Sequence, residues 1–347
     1  MHDQAALAAI AIALGVVVSV ALFVPFVWFS YRRLGTLSLR TVLIYLAVLV
    51  YFFAIWVFTL LPLPDPDTLQ CAGRNLRITA FVDDIRGAVS RGHPLTDPAV
   101  LQLVFNVALF VPLGFFVRFV ARRGVVVAFL IGLGTSVFIE CTQGTGVWGL
   151  YPCAYRVFDV DDMLTNTTGA VIGSLLALPF HRRLIDPAVV HQPRPVTRGR
   201  RLVGMVCDLM TVTIASILLS VATQLVLRYA MHAESAVRSG EVASTIGDFG
   251  TVALFVILVL MTGRTVGDYA VEIRFGELGV GQRLIRFFGG IGGYLVLTLL
   301  PYGPLLGVVF ALVCVVAIWR GDHSGLPGLG GHRVRDARAL TEEARLP

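Results

Sequence analysis

The sequence predicts an all-α fold: a polytopic integral membrane helical bundle with eight or nine transmembrane helices in two modules. Two observations carry this prediction. Of the 347 residues, 56% are hydrophobic and only 14% are charged, whereas roughly one quarter of an ordinary soluble domain is charged. In addition, several uncharged stretches exceed about 18 residues, the length that a helix needs to cross the ~30 Å hydrocarbon layer of a bilayer. A soluble core does not require such stretches.

Each long apolar run should form a helix, because backbone groups without hydrogen-bond partners are costly in lipid. The nine candidate runs are residues 5–31, 40–62, 99–120, 124–143, 161–180, 202–227, 248–263, 286–301 and 304–319. The last two runs are short and are separated by Pro301, Gly303 and Pro304. They are therefore compatible with two spans or with one tilted or re-entrant hairpin, which leaves eight or nine helices.

Arginines in the short loops predict the orientation, because cytoplasmic loops of membrane proteins are enriched in basic residues. Arginines follow the first, third, fifth and seventh runs. This alternation places the N-terminus outside and the C-terminus in the cytoplasm, and it makes the loops at 63–98 and 144–160 external. Membrane lipids are the expected partners, and nucleic acid is not, since the basic residues lie in short loops between helices.

Composition divides the chain into four parts. Residues 1–180 form a first membrane module of about five helices, and residues 201–320 form a second with three or four. Between them, residues 181–200 are rich in proline and arginine and predict a cytoplasmic linker. The polar, glycine-rich tail at 321–347 is expected to be disordered and cytoplasmic.

The five cysteines divide according to this topology. Cys141, Cys207 and Cys314 lie within predicted spans, where cysteine behaves as a small apolar residue. Cys71 and Cys153 lie in the two external loops, where an oxidising compartment permits a disulfide. A bond between them and two free thiols are both compatible with the sequence. Cys/His spacings typical of zinc sites are absent from the sequence, no cofactor is indicated, and the sequence leaves open whether a metal binds.

Polar residues at the start of the fifth run form a single stripe on a helix. Asp159, Asp162, Asn166, Gly169 and Gly173 fall within an arc of about 80° at about 100° per residue. Asp161 points the other way. The two glycines allow a neighbouring helix to approach closely.

The two preceding runs carry polar residues at the same depth. Glu140 and Gln143 recur at helical spacing with Ser136 near the external end of the fourth run, and Asn106 lies near that end of the third. Carboxylates in a membrane normally face protein or water. The alternative is a purely structural role for these residues. In it, the aspartates are stabilised by the dipole at the helix N-terminus and pair with Arg156, and the asparagines form hydrogen bonds between helices. We expect the polar residues of these three helices to share one external acidic cleft.

The spacing of these residues resembles a known family. The sequence contains N-x-x-x-F-x-P-x-G at 106–114, E-x-x-Q at 140–143 and R-x-x-D-x-D-D-x-x-x-N-x-x-G-x-x-x-G at 156–173. In this order the elements resemble the VanZ-like family of bacterial membrane proteins, over about residues 40–180. The resemblance implies a bacterial plasma-membrane protein associated with resistance to glycopeptide antibiotics of the teicoplanin type. It also implies the recurrent polar positions of the family, which are the predicted ligand-binding residues of the external acidic cleft: Asn106, Glu140, Gln143, Arg156, Asp159, Asp162 and Asn166.

A second resemblance covers about residues 198–320. Arg201 and Asp208 lie seven residues apart on one face of the sixth run, and G-R-T-V-G-D follows at 263–268. This arrangement is similar to the RDD family of small membrane domains, although Asp268 stands where that family usually has lysine. The predicted polar pair is therefore Arg201 with Asp208, either as a functional pair or as a packing device.

Three hypotheses of function follow. An acidic cleft with amide donors suits a divalent cation, a cationic or amide-bearing lipid-linked ligand, or a proton. The first hypothesis is a non-enzymatic cell-envelope protein that binds a surface ligand, such as a lipid-linked cell-wall precursor or a glycopeptide-related ligand. The second is an ion- or proton-coupled transporter that uses Glu140, Asp162 and Asp208 as relay carboxylates. The third is a membrane enzyme with acid/base carboxylates for a lipid-linked envelope substrate, although the sequence has no H-E-x-x-H motif or nucleophile elbow.

Overall fold

The computed structural model describes residues 2–180, 192–320, 323–331 and 333–339. Contacts divide the chain into two units, which we call unit 1 and unit 2. Unit 1 consists of Met1–Val18 and Leu43–Arg183, and unit 2 consists of Ser19–Val42 and Leu184–Pro347. Residues 181–191 of the predicted linker lie outside the described residues.

The described chain is mostly helical. In chain order its helices are α1 (His2–Ala21), α2 (Phe23–Leu34), α3 (Leu39–Leu60), α4 (Ala80–Ser90), α5 (Pro98–Phe119), α6 (Val125–Gly144), α7 (Val160–Leu176), α8 (Arg198–Leu225), α9 (Glu234–Ser239), α10 (Glu241–Thr262), α11 (Val266–Ala270), α12 (Val280–Phe288), α13 (Ile291–Thr298) and α14 (Gly303–Arg320). Its short strands are β1 (Arg74–Asn75), β2 (Phe158–Asp159), β3 (Ile273–Arg274) and β4 (Arg335–Asp336). Single turns of other helix types are Pro66–Thr68, Gly146–Gly149, Leu178–Phe180, Val226–Ala230 and Leu326–Gly330.

Six of the described helices are long and apolar enough to cross a membrane: α3, α5, α6, α8 with its following turn, α10 and α14. Helices α1 and α2 would add a seventh span if they act together, although a bend of 66° separates them. This number is lower than the predicted eight or nine. Run 161–180 yields the 17-residue helix α7, and run 286–301 is broken at Gly289 and Gly290, because glycine is a poor helix former.

Helix α7 packs between α5 and α6, and small residues permit this arrangement. A Cβ atom built on Gly169 or Gly173 of α7 would overlap backbone carbonyls of α5, and one built on Gly114 of α5 would overlap the backbone of α7. Gly132 of α6 faces the side chain of Ala170 in the same way. Close backbone approach through small residues is characteristic of helix packing in membranes. It brings the first turns of α7 beside α5 and the last turn of α6.

The loop between α3 and α5 and the loop between α6 and α7 are joined to each other near the start of α7. Strands β1 and β2 pair in parallel, and Cys71 forms a disulfide with Cys153, with 5.6 Å between their Cα atoms. The Tyr151 hydroxyl donates to the Pro64 carbonyl at 3.1 Å. These contacts connect the segment that follows α3 with the segment that precedes α7.

A left-handed turn at Gly146–Gly149 leads out of α6. Val147 and Trp148 have φ angles of 55° and 57°, a conformation that is unfavourable for a β-branched residue such as valine. Local hydrogen bonds hold the turn: Thr145 Oγ1 accepts from the Trp148 main-chain N–H, and the indole N–H of Trp148 donates to Thr142 Oγ1, both at 3.1 Å. The turn redirects the chain towards the disulfide.

Unit 2 has two apolar clusters. The first contains Val27 and Tyr31 of α2, Cys207 of α8, and Val271 and Ile273 around β3. The second cluster consists of Phe255, Val259, Phe287, Ile291 and Leu295. They lie on α10, α12 and α13. Hydrophobic contact therefore links α2, α8 and the segment around β3.

The tail differs from the predicted disorder where the structure describes it, at 323–331 and 333–339. Strand β4 pairs antiparallel with β3. Within β4, Asp336 is buried and forms an ion pair with the buried Arg200 at 2.7 Å. Polar composition predicts disorder only when a segment cannot bury its groups, and this strand and ion pair give the tail a folded partner. Residues 321–322, 332 and 340–347 lie outside the described part.

Candidate functional site

A polar cavity of about 760 Å³ lies in unit 1 at the end of the α5–α6–α7 packing. All seven residues of the predicted acidic cleft line it: Asn106, Glu140, Gln143, Arg156, Asp159, Asp162 and Asn166. Its remaining wall includes Thr59 at the end of α3, Gln102 of α5 and Tyr155 before β2. We call this feature the polar cavity.

Asp162 lies in the first turn of α7 and faces α5. The side-chain amide of Asn106 donates to Asp162 Oδ1 at 2.6 Å. Gln102, one turn earlier on α5, also hydrogen-bonds to this carboxylate. The spacing of four residues puts both amides on one face of α5, so α5 presents two donors to a single acidic side chain.

Glu140 joins the last turns of α6 to the start of α7. Its side chain is buried, and Oε2 accepts from the main-chain N–H of Asp159 at 2.9 Å. Gln143, three residues later, donates from Nε2 to the Thr59 carbonyl at 2.7 Å. The two polar residues of α6 therefore bind α7 on one side and the end of α3 on the other.

Asp159 is the N-cap of α7. Its Oδ1 accepts from the Asp161 main-chain N–H at 2.8 Å, a common way to satisfy the first N–H groups of a helix. The Asn75 amide donates to both Asp159 oxygens at 3.1 Å. Asp161 is buried and does not line the cavity; its Oδ2 accepts from the Phe81 main-chain N–H at 2.8 Å. The start of α7 is thus fixed to β1 and α4.

The hydrogen-bond partners of Arg156 are not the aspartates that the structural alternative predicted. Its two terminal nitrogens donate to the carbonyls of Thr59 and Leu61, at 3.0 and 2.9 Å. The Tyr155 hydroxyl donates to the neighbouring Leu60 carbonyl at 3.2 Å. A cation at the carbonyl end of a helix is favoured by the helix dipole. Arg156 therefore caps α3 while it lines the cavity.

Of the α7 residues that line the cavity, Asn166 lies furthest from the start of the helix, and it is 4% exposed. Its Nδ2 donates to Ser136 Oγ of α6 at 2.9 Å. Its Oδ1 has no hydrogen-bond partner among the residues that the structure describes. A buried polar atom without a partner costs free energy, so this oxygen marks a position where an added donor would be stabilising.

The lining of the polar cavity is acidic. Glu140, Asp159 and Asp162 oppose a single guanidinium, that of Arg156. Within the described ranges, no group of three or more His, Cys, Asp or Glu residues has an arrangement that could hold a metal ion.

One comparison with known proteins bears on this cavity. Residues 43–182 match the VanZ/LLP1 family model. The matched VanZ-like segment contains every residue that lines the polar cavity. Together with the apolar helices, the match indicates a membrane protein. No curated protein and no solved structure matches the chain, and nothing in the comparisons supports an RDD domain at 198–320.

Some residues around the polar cavity were missed in the sequence. Gln102 precedes Asn106 by four residues, and helical spacing could have revealed it. Asn75 lies in a loop without periodicity, 84 residues from the carboxylate it binds, and no sequence signal identifies it. The carbonyls of Thr59 and Leu61 are main-chain groups, which sequence patterns do not distinguish.

Outside the VanZ-like segment, the predicted pair of Arg201 with Asp208 is wrong in its pairing. The guanidinium of Arg201 forms its ion pair with Asp268 at 3.2 Å. Asp208 instead accepts from the Thr265 hydroxyl at 2.8 Å and from the Gly267 main-chain N–H at 2.6 Å. Helical spacing placed both residues on one face of α8 correctly, but the partners come from the connection between α10 and β3.

Asp268 is the centre of this buried ionic cluster. It accepts from Arg201 and Arg286 through different oxygens, and it forms a capping box with Thr265 at the start of α11. Burial by itself raises the pKa of Asp268, but Arg286 and Arg201 more than offset this effect, so its pKa lies below the usual range. The aspartate at the position where lysine was expected therefore compensates two buried arginines.

Proposed function

We propose that this chain is a non-enzymatic protein of the bacterial plasma membrane, and that its polar cavity binds a surface or lipid-linked ligand. We further propose that this binding contributes to resistance to glycopeptide antibiotics of the teicoplanin type. In this proposal the cavity opens outside, with the N-terminus outside and the C-terminus in the cytoplasm. The single observation that carries the proposal is the common cavity of the seven motif residues within the VanZ-like segment.

The dimensions and lining of the cavity support an amphiphilic ligand. A volume of about 760 Å³ lies in the range of about 300–1,000 Å³ typical of ligand pockets. Polar groups of α6 and α7 form one part of the wall, and Phe58, Phe105 and Leu109 contribute an apolar part. Phe105 is 65% exposed. A headgroup could therefore contact the carboxylates while an attached hydrocarbon follows the apolar surface of α5.

Two carboxylates of the cavity have a structural function besides any contact with a ligand. Glu140 and Asp159 each use one oxygen to accept a main-chain N–H at the start of α7, which holds the helix start in place. Proton transfer at these two oxygens would disturb the start of α7, whereas a ligand that donates to the remaining lone pairs would not.

The test uses isosteric neutral variants. We expect Asp162→Asn and Glu140→Gln to remove the tolerance that the wild-type chain confers on a glycopeptide-susceptible bacterial host, because each variant deletes one charge of the cavity. The measurement is the minimal inhibitory concentration of a teicoplanin-type antibiotic, with membrane abundance followed by immunoblot. Asp83→Asn is the matched control, since Asp83 is an exposed carboxylate on α4. Wild-type tolerance in normally abundant Asp162→Asn and Glu140→Gln variants would contradict the proposal.

A further inference from the structure

We propose that the ligand of the polar cavity presents a protonated primary amine to Glu140, Asp159 and Asp162. This inference rests on the proposed function, which assigns the cavity a ligand but not its chemistry. It adds the class of group that the ligand must carry. Around the cavity, amide donors are already bonded within the protein, whereas several acceptor positions are not.

The amide donors of the site are directed at protein acceptors. Asn106 donates to the Asp162 carboxylate, Gln143 donates to the Thr59 carbonyl, and Asn75 donates to Asp159. An ionised carboxylate and a carbonyl can only accept hydrogen bonds. The NH₂ groups of these three amides are therefore oriented by their partners and each has at least one hydrogen committed to the protein.

The carboxylates of the cavity can accept more hydrogen bonds than the protein donates to them. Each carboxylate has about four lone-pair positions, and Glu140 shows one bond, from Asp159. Asn166 supplies an independent observation. It lines the cavity, it is 4% exposed, and its Oδ1 has no partner within the described part of the chain. A ligand in the cavity that donates hydrogen bonds would therefore find acceptors that the described residues leave unused.

Charge leads to the same conclusion. Three carboxylates share the cavity with Arg156, whose terminal nitrogens donate to the Thr59 and Leu61 carbonyls. A phosphate or carboxylate in this space would meet like charges, which repel in a medium of reduced dielectric constant. A primary ammonium group carries three N–H donors and no acceptor, so it matches both the charge and the acceptor-rich lining.

Two sources could supply this group next to the apolar wall of Phe58 and Phe105. One is a membrane lipid with an ammonium headgroup, and the other is an amine on a soluble or lipid-linked envelope component. Both present the same chemistry to Glu140 and Asp162. The experiment therefore first tests the ammonium group and then separates its sources.

The full chain is reconstituted in phosphatidylcholine nanodiscs, and calorimetric titration measures binding of three probes: dodecylamine, its N-acetyl derivative and dodecyl phosphate. Binding to empty discs is subtracted. We expect dodecylamine to bind at least about tenfold more tightly than either analogue, since about 1.4 kcal/mol corresponds to a factor of ten. Asp162→Asn and Glu140→Gln should each weaken dodecylamine binding by about tenfold or more, and Asp83→Asn should leave it unchanged.

Two further arms identify the source. Inhibition of dodecylamine binding by phosphatidylethanolamine in the disc indicates a lipid headgroup, and inhibition by a soluble lysine-containing peptide indicates an envelope amine. Equal binding of the N-acetyl or phosphate probe, no binding of dodecylamine, or wild-type affinity in both cavity variants overturns the inference. If dodecylamine does not bind but Asp162→Asn still loses glycopeptide tolerance, the ammonium assignment is wrong and the proposed function remains. Specific dodecylamine binding together with unchanged tolerance would instead contradict the resistance function alone.

Discussion

Substitution of Asp268 by asparagine tests whether the ionic cluster of unit 2 depends on this one carboxylate. Asp268 is 1% exposed and is the ion-pair partner of both Arg201 and Arg286, at 3.2 and 2.5 Å. The two guanidinium groups are themselves buried. Asp268→Asn retains the shape of the side chain but leaves two positive charges without this counter-charge. Removing one partner of a buried ion pair costs about 3–5 kcal/mol, and we expect a loss of that size in the free energy of unfolding.

The assay is unfolding of the purified full chain by SDS in mixed micelles, followed by tryptophan fluorescence. Glu234→Gln is the matched control, because Glu234 pairs with Arg238 on the surface at 3.7 Å with both side chains mostly exposed. Exposed pairs contribute about 0–1 kcal/mol, so this control should unfold almost as the wild type does. A loss below about 1 kcal/mol in Asp268→Asn would refute the reasoning.

The pH dependence of the same comparison has a definite sign. The folded-state pKa of Asp268 is lower than its ordinary value, which is about 3.9 in an unfolded chain. Its stabilising contribution is therefore fully present above about pH 4 and is lost as the pH falls through the lower folded-state pKa. The difference in unfolding free energy between the wild type and Asp268→Asn should be constant near neutral pH and should shrink below about pH 4. A difference that grows on acidification would contradict the assigned direction.

Two other perturbations address the packing and the covalent connection of unit 1. Gly173→Ala should destabilise unit 1 by about 1–3 kcal/mol, because the added Cβ would overlap the Val111 backbone. Gly134→Ala is the control and should not destabilise it, because a Cβ at Gly134 meets no atom. Unfolding in mixed micelles compares the two variants, and equal stabilities would contradict the packing. Cys71 and Cys153 should react with a thiol-alkylating reagent only after reduction, as measured by peptide mass spectrometry of the denatured protein, and labelling of both without reductant would exclude the bond.

Much of the polar cavity was predictable because helical periodicity acts within one segment. The spacing of Asp159, Asp162 and Asn166 puts them on one face of α7, and the spacing of Glu140 and Gln143 does the same for α6. Chain order and topology then suggested that these faces meet. The family resemblance over about residues 40–180 agrees with the match at 43–182.

The partners of the charged residues were not predictable in the same way. Arg156 was a candidate partner for aspartates only a few positions away, but it donates to the end of α3. Arg201 was assigned to Asp208 on its own helix, but it pairs with Asp268. Sequence spacing reports which residues share a face of one helix. It does not report which distant segment lies opposite that face.

By itself, the sequence determined the apolar helices, the polar stripes and the glycines that let α7 approach its neighbours, because each of these depends on residue type and on the repeat of a single helix. Only the tertiary structure decided that Asn75 binds Asp159, that Asp336 of the tail pairs with Arg200, and that Asn166 Oδ1 has no partner among the described residues. These outcomes depend on contacts between segments far apart in the chain, where geometry and competition among several acceptors select the partner.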